Sequence, residues 1–183
     1  LGSQRIRQDF LIAAGLIAEY EEGKAVDPAI KEMALLRIKQ LSCHEVGHTL
    51  GLNHNYASSV TGRSSVMDYP HPLVKVVKGS LDLSDAYTEG IGEWDKVSIA
   101  YGYSDFPEGT NEKTALNNIL DSAFSKGLIF LTGQDAGDAH PLTHVWDNGS
   151  DPVKELKRVM KIRSLALDNF SEKKIPEGTP LST

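Results

Sequence analysis

A mainly α chain, α+β at most, is what this sequence predicts. Apolar residues recur at helical spacing in four stretches, and two helices open on the same Asp-Pro start. The segments with strand character are only three or four residues long. With 183 residues, 40% hydrophobic and 24% charged, the chain is one domain's worth of globular protein. That balance excludes disordered, collagenous and low-complexity classes.

The elements follow in order. Ile6, Phe10, Ala13, Ala14 and Ile17 lie on one helical face and predict a helix over residues 6–20, followed by a polar break over 21–27. Asp27 then supplies a cap and Pro28 the first helical position of a long helix to about Leu50, with Gly51 as its left-handed stop. At about 100° per residue, Ile30, Ala34, Ile38 and Leu41 form one inward stripe, which His44, Glu45 and His48 continue. A polar loop leads to Pro72. Residues 74–77 and 81–83, split by Lys78-Gly79-Ser80, predict a short hairpin. Trp94, Val97, Ser98 and Tyr101 predict a helix ending at Gly102. Ala115, Leu116, Ile119, Leu120, Ala123 and Phe124 predict another, closed by Gly127. Residues 128–131 read as a short strand, 147–151 as a turn, and Asp151-Pro152 as the start of a last helix to about Phe170. Trp94 and Trp146 are expected in the core.

Several functions are excluded early. A net charge of −6 gives no electrostatic footprint for nucleic acid. No apolar run reaches the roughly 18 residues of a membrane span. The single cysteine, Cys43, rules out an intrachain disulfide and a multi-cysteine zinc site. Its direction, about 100° from His44 in projection, makes it a small buried residue. The start Leu1-Gly2-Ser3 carries no signal-type core and reads as an internal point of a longer protein.

The chemistry concentrates in HEVGHTLGLNH, residues 44–54, which fits H-E-x-x-H-x-x-G-x-x-H at every defined position. His44 and His48, four apart on a helix, can turn their imidazoles onto one ion. Glu45 stands beside them, placed to take a proton from metal-activated water without being a ligand. Gly51 lets the chain turn back so that His54 supplies a third nitrogen. Three neutral imidazoles leave a tetrahedral ion one open position, and this donor set suits one Zn²⁺ per chain better than Ca²⁺ or Mg²⁺, which take oxygen. In a chain with 6 His and 16 Gly, a chance match at all five fixed positions is on the order of a few in 10⁵. Burying such a cluster without a metal would be costly, since each group needs partners.

The motif resembles that of the metzincin metallopeptidases. The resemblance extends to SSVMDY, residues 64–69, where Met67, thirteen residues past His54, stands at the place of the Met-turn methionine, a floor beneath the three histidines. Tyr69 stands where the astacin-like and serralysin-like branches carry a tyrosine that helps bind zinc or stabilises the oxyanion; a buried tyrosine with a hydrogen-bonded hydroxyl is the other reading. The runs LGSQRIRQDFLIAAGL, QLSCHEVGHTLGLNHN, SVMDYPHPLVK, GIGEWDKVSIAYGY and HPLTHVWDNGSDP are similar to large bacterial zinc-dependent metzincin-like proteases. That resemblance implies an exported, extracytoplasmic enzyme acting on proteins or peptides. It also implies a sheet ahead of the motif, whose edge pairs with extended substrate. Only 43 residues precede His44, and they read as helix. Residues 1–183 are therefore expected to be a single region, the active-site helix and C-terminal subdomain of a larger peptidase, holding zinc but cleaving poorly without an upstream sheet subdomain. A zinc-stabilised binding domain without turnover and a zinc hydrolase of non-peptide amides or esters are the alternative classes.

The remaining candidates have plainer readings. His71, between two prolines, could line a specificity pocket but reads first as a solvated loop histidine. His140 and His144 are four apart, but Pro141 argues against a helix that would pair them. Residues 147–151 faintly suggest a calcium loop, but Arg158 stands where an EF-hand needs glutamate. Asp82, Asp85, Glu89 and Glu93 form a solvated acidic face.

Overall fold

The computed structural model describes residues 3–17, 27–133, 140–175 and 178. Among these the elements are α1 (Ser3–Ile17), α2 (Pro28–Thr49), β1 (Lys75–Val77), β2 (Ser80–Asp82), α3 (Glu93–Tyr103), α4 (Glu112–Ser125) and α5 (Pro152–Asp168). Single 3₁₀ turns stand at Ser58–Thr61 and Glu172–Lys174. The fold is mainly α, as the periodicity predicts. The expected continuation of α1 over 18–20 and the polar break over 21–26 lie outside the described residues.

The helix boundaries follow local chemistry. The Asp27 carboxylate accepts the Ala29 N–H at 2.8 Å, capping α2 ahead of Pro28. At the other end Gly51 takes φ 77°, its N–H reaches the His48 carbonyl at 3.0 Å, and the Leu52 N–H reaches the Gly47 carbonyl at 3.0 Å. This paired closure satisfies two carbonyls of the last turn and needs a residue free to adopt positive φ. The Asn111 side chain caps α4, and Gly127, at φ 78°, ends its last turn.

The chain divides into two compact units. The first comprises Leu1–Lys39, Pro72–Thr88 and Val153–Thr183. Its core gathers Ala13 of α1, Ile30, Met33 and Leu36 of α2, Val74, Leu83 and Tyr87 around the hairpin, and Ile162 of α5. The hairpin pairs Lys75 with Asp82 and Val77 with Ser80. Its two-residue turn, Lys78 at φ 51° and Gly79 at φ 86°, has the two positive φ values that match strand twist. Within this core Arg37 lies 3.4 Å from the Asp9 carboxylate and 5.0 Å from the centre of the Tyr87 ring, while the Tyr87 hydroxyl donates to Asp9 at 2.9 Å. All three side chains are buried.

The buried stripe of α2 therefore differs from the one read from apolar spacing. Ile30, Met33, Leu36, Arg37, Gln40, His44 and Gly47 face inward, whereas Ala34, Ile38 and Leu41 are only half-buried. Polar residues with internal partners, Arg37 and Gln40, take positions that an apolar count cannot see. The same rotation buries His44 but leaves Glu45 and His48 exposed, correcting the expectation that all three face inward.

The second unit comprises Gln40–His71 and Glu89–Pro152. Trp94 is in its core as expected, with Ala123 and Leu128, its ring stacked on Phe130 at 5.4 Å. Trp146 is not core; it is 36% exposed. Residues 128–131 form no strand. The Asn55 side chain stands in for a partner, donating to the Ile129 carbonyl at 2.9 Å and accepting from the Leu131 N–H at 3.2 Å.

Arg37→Met tests the buried ion pair. It leaves the Asp9 carboxylate buried without its cation and is expected to cost about 3–5 kcal/mol in urea unfolding. Tyr87→Phe, which removes one neutral donor, is expected to cost about 1 kcal/mol.

Candidate metal centre

His44 and His48 come from successive turns of α2, and His54 from the loop that doubles back after Gly51. One ring nitrogen from each lies within 4.8 Å of the others, the only such metal-capable group of three among the described residues. The Nε2 atoms of His48 and His54 are 3.1 Å apart. Zinc–nitrogen bonds of about 2.0–2.1 Å at tetrahedral angles would set two nitrogens about 3.3 Å apart, so the pair already stands near ligand separation.

The tautomers follow from the neighbours. His44 Nδ1 lies 2.7 Å from the Val66 carbonyl, and His48 Nδ1 lies 2.9 Å from the Leu52 carbonyl. A carbonyl only accepts, so each Nδ1 carries the proton and each Nε2 keeps its lone pair for an ion. Burial, then the proximity of His44 and His48, hold the His54 imidazole below its ordinary pKa, while Glu45 acts in the opposite direction. The neutral imidazole that a metal needs is thereby favoured. Glu45 is exposed on α2, near enough to His54 for its charge to be felt.

The turn at Met67, which meets α2 at Gly47, is held by several hydrogen bonds. Met67 is 1% exposed, and its carbonyl accepts the Asn55 N–H at 2.9 Å, next to His54 in the chain. The Val66 carbonyl accepts from Gln40 at 3.3 Å as well as from His44. The Asp95 carboxylate, 2% exposed, takes the Ser65 hydroxyl at 2.5 Å, the Val66 N–H at 2.8 Å and the Gly92 N–H at 2.7 Å. One side chain thus joins the start of α3 to the approach to Met67. Gly92 lies so close to this segment that a Cβ there would stand 2.0 Å from the Ser64 carbonyl oxygen. Gly47 plays the matching part on α2, where a Cβ would meet the Met67 sulfur at 2.3 Å.

An aromatic wall completes the site. The Tyr69 ring lies 5.0 Å from His44 and 4.8 Å from His54, and Tyr56 stacks on His54 at 5.0 Å with 18° between planes. Trp146 stacks on Tyr69. Burial raises the Tyr56 hydroxyl above its ordinary pKa. Burial also pushes Asp68 up to about 6, against the lowering effect of the Ser58 hydroxyl and Tyr69 N–H, each donating at 2.6 Å.

The structure brings together His44, His48, His54 and Tyr69, with Met67 packed against α2 at Gly47. Asn55, Tyr56, Gly47, Asp95 and Trp146 were not singled out for the site from sequence. Gly47 had a signal, because a glycine inside a helix costs about 1 kcal/mol and needs a packing reason. Asp95 and Asn55 had none, since their partners are distant in the chain. Cys43 is half-buried, and His71 is exposed as expected.

Gly47→Ala weighs two effects. Helix propensity favours alanine by about 1 kcal/mol, but overpacking against the buried Met67 costs about 1–3 kcal/mol. A net loss of up to about 2 kcal/mol is expected in urea unfolding, and a stabilised variant would contradict close packing of Met67 there.

Comparison with known proteins adds one finding. The Met-zincin family profile matches residues 27–183. Neither curated proteins nor solved structures give a significant match. Because the family match runs through the histidine helix, the turn at Met67 and every described element after them, the chain belongs to the Met-zincin family.

Proposed function

We propose that this chain carries the catalytic centre of a zinc-dependent metallopeptidase that hydrolyses peptide bonds. The observation that supports it best is the histidine triad, with ring nitrogens within 4.8 Å of one another and two imidazoles held by backbone carbonyls at Nδ1, which leaves Nε2 for an ion. His44, His48 and His54 would hold the ion. Zinc bound there supplies a Lewis acid and lowers the pKa of a coordinated water toward neutrality.

The chain's own groups do the rest. Glu45, beside the triad and exposed to solvent, takes a proton from the attacking water and returns it to the leaving amine. Tyr69, its ring against His44 and His54, donates its hydroxyl to the oxygen that gains charge. Met67 sets the height of the floor and takes no part in proton transfer. The substrate is a protein or peptide, and the extracytoplasmic, bacterial setting rests on the resemblance of the sequence to exported proteases.

The edge strand that pairs with substrate in such enzymes would come from a sheet subdomain of the same full-length protein. The strands among the described residues form only the β1–β2 hairpin, which follows the histidine helix.

Glu45→Gln in the full-length protein tests the base. It is expected to retain one zinc per chain while losing about 10²- to 10⁴-fold in kcat on a peptide substrate. Wild-type turnover would remove Glu45 from the mechanism, and loss of zinc would make it a ligand instead.

A further inference from the structure

Residues 146–148 run along residues 69–71. The Trp146 N–H donates to the Tyr69 carbonyl at 2.9 Å, and the Asn148 side-chain amide donates to the His71 carbonyl at 3.1 Å. The Trp146 indole lies over the Tyr69 ring with centroids 5.5 Å apart and 15° between planes. The same tyrosine ring lies 5.0 Å from His44, with 27° between planes. Indole, phenol and imidazole thus form a ladder that ends on the histidine triad.

Two features of Trp146 call for a reason. Its φ is 67°, in the left-handed region, where a bulky side chain costs roughly 1–3 kcal/mol and glycine fits without strain. Its indole is also 36% exposed, so burial alone does not account for a tryptophan here. What the indole gains is the stack on Tyr69, where aromatic pairs contribute beyond the area they bury. Tyr69 itself is only half-buried, so a ring placed over it removes freedom that its surroundings leave open.

We propose that Trp146 is a positioning residue, holding the Tyr69 ring against the histidine triad so that the phenol is set before substrate arrives. It acts through Tyr69 and touches neither ion nor substrate. Its catalytic consequence rests on the reading of Tyr69 as a donor to the oxyanion, whereas its effect on the placement of the ring does not. A strained residue kept for what it orients is a recognised pattern at functional sites.

The experiment uses the intact chain labelled with 3-fluorotyrosine, with the Tyr69 ¹⁹F resonance assigned by its absence from Tyr69→Phe. Trp146→Gly removes the indole and suits the left-handed backbone, so the loop is retained; Trp146→Phe keeps a ring. In metal-free protein the Tyr69 resonance is expected to move and broaden in Trp146→Gly and to stay close to wild type in Trp146→Phe. An unmoved resonance in Trp146→Gly overturns the proposal. In the full-length enzyme, Trp146→Gly is expected to lower kcat by about 10- to 100-fold with KM little changed, because a misplaced group loses orientation rather than binding. On a Tyr69→Phe background it should add nothing, since both changes remove the same contribution. Full additivity would overturn the proposal by showing that the indole acts elsewhere. Tyr69→Phe with wild-type kcat, beside a resonance that moves in Trp146→Gly, would remove the donor role of Tyr69 and leave its placement by Trp146 standing.

Discussion

The hydrogen bond between His44 and the Val66 carbonyl is the contact on which the rest of the site depends. It joins the histidine helix to the residue before Met67 and fixes the imidazole tautomer. One turn earlier on the same helix, Gln40 reaches the same carbonyl. From the other side Asp95 takes the Val66 N–H, so the peptide units flanking Val66 are held by α2 and by the start of α3 at once. An imidazole oriented in this way would lose little freedom on binding an ion, which is how outer contacts raise metal affinity.

The Met67 turn is set by an absence as much as by a contact. Gly47 has no side chain, and the Met67 sulfur occupies the space a Cβ would need. The close approach brings the turn under the helix, and the Asn55 N–H then ties the Met67 carbonyl to the loop carrying His54. His44 and the loop carrying His54 are therefore both tied to one short segment. Tyr69 follows two residues later, and Trp146 stacks on its ring. Buried Asp68 and Asp95 fit this arrangement, since each is satisfied by nearby hydroxyl and N–H donors rather than by a cation.

Much of this was legible in the sequence, for identifiable reasons. The Asp-Pro starts and the glycine stops act within a few residues, so the starts of α2 and α5 and the ends of α2 and α4 could be read directly. The spacing of His44, His48, Gly51 and His54 encodes a local geometry, and the triad converges as that spacing requires. Long-range polar contacts were not legible. Arg37 and Gln40 occupy the inward stripe because Asp9 and the Val66 carbonyl await them, and nothing in their neighbourhood along the chain indicates it. Trp146 illustrates the same limit: composition places a tryptophan in the core, while the structure sets it half-exposed on Tyr69. Residues 128–131 carry strand-like composition, but their partners are the Asn55 side chain and the Tyr56 N–H and not a second strand.

Whether the three imidazoles bind one zinc ion is decided by anomalous scattering at the zinc absorption edge from crystals of zinc-loaded protein. A single peak is expected about 2.0–2.1 Å from the Nε2 atoms of His44, His48 and His54, with the Nδ1 contacts to Val66 and Leu52 intact. A peak held by other residues, or coordination through Nδ1, would contradict it.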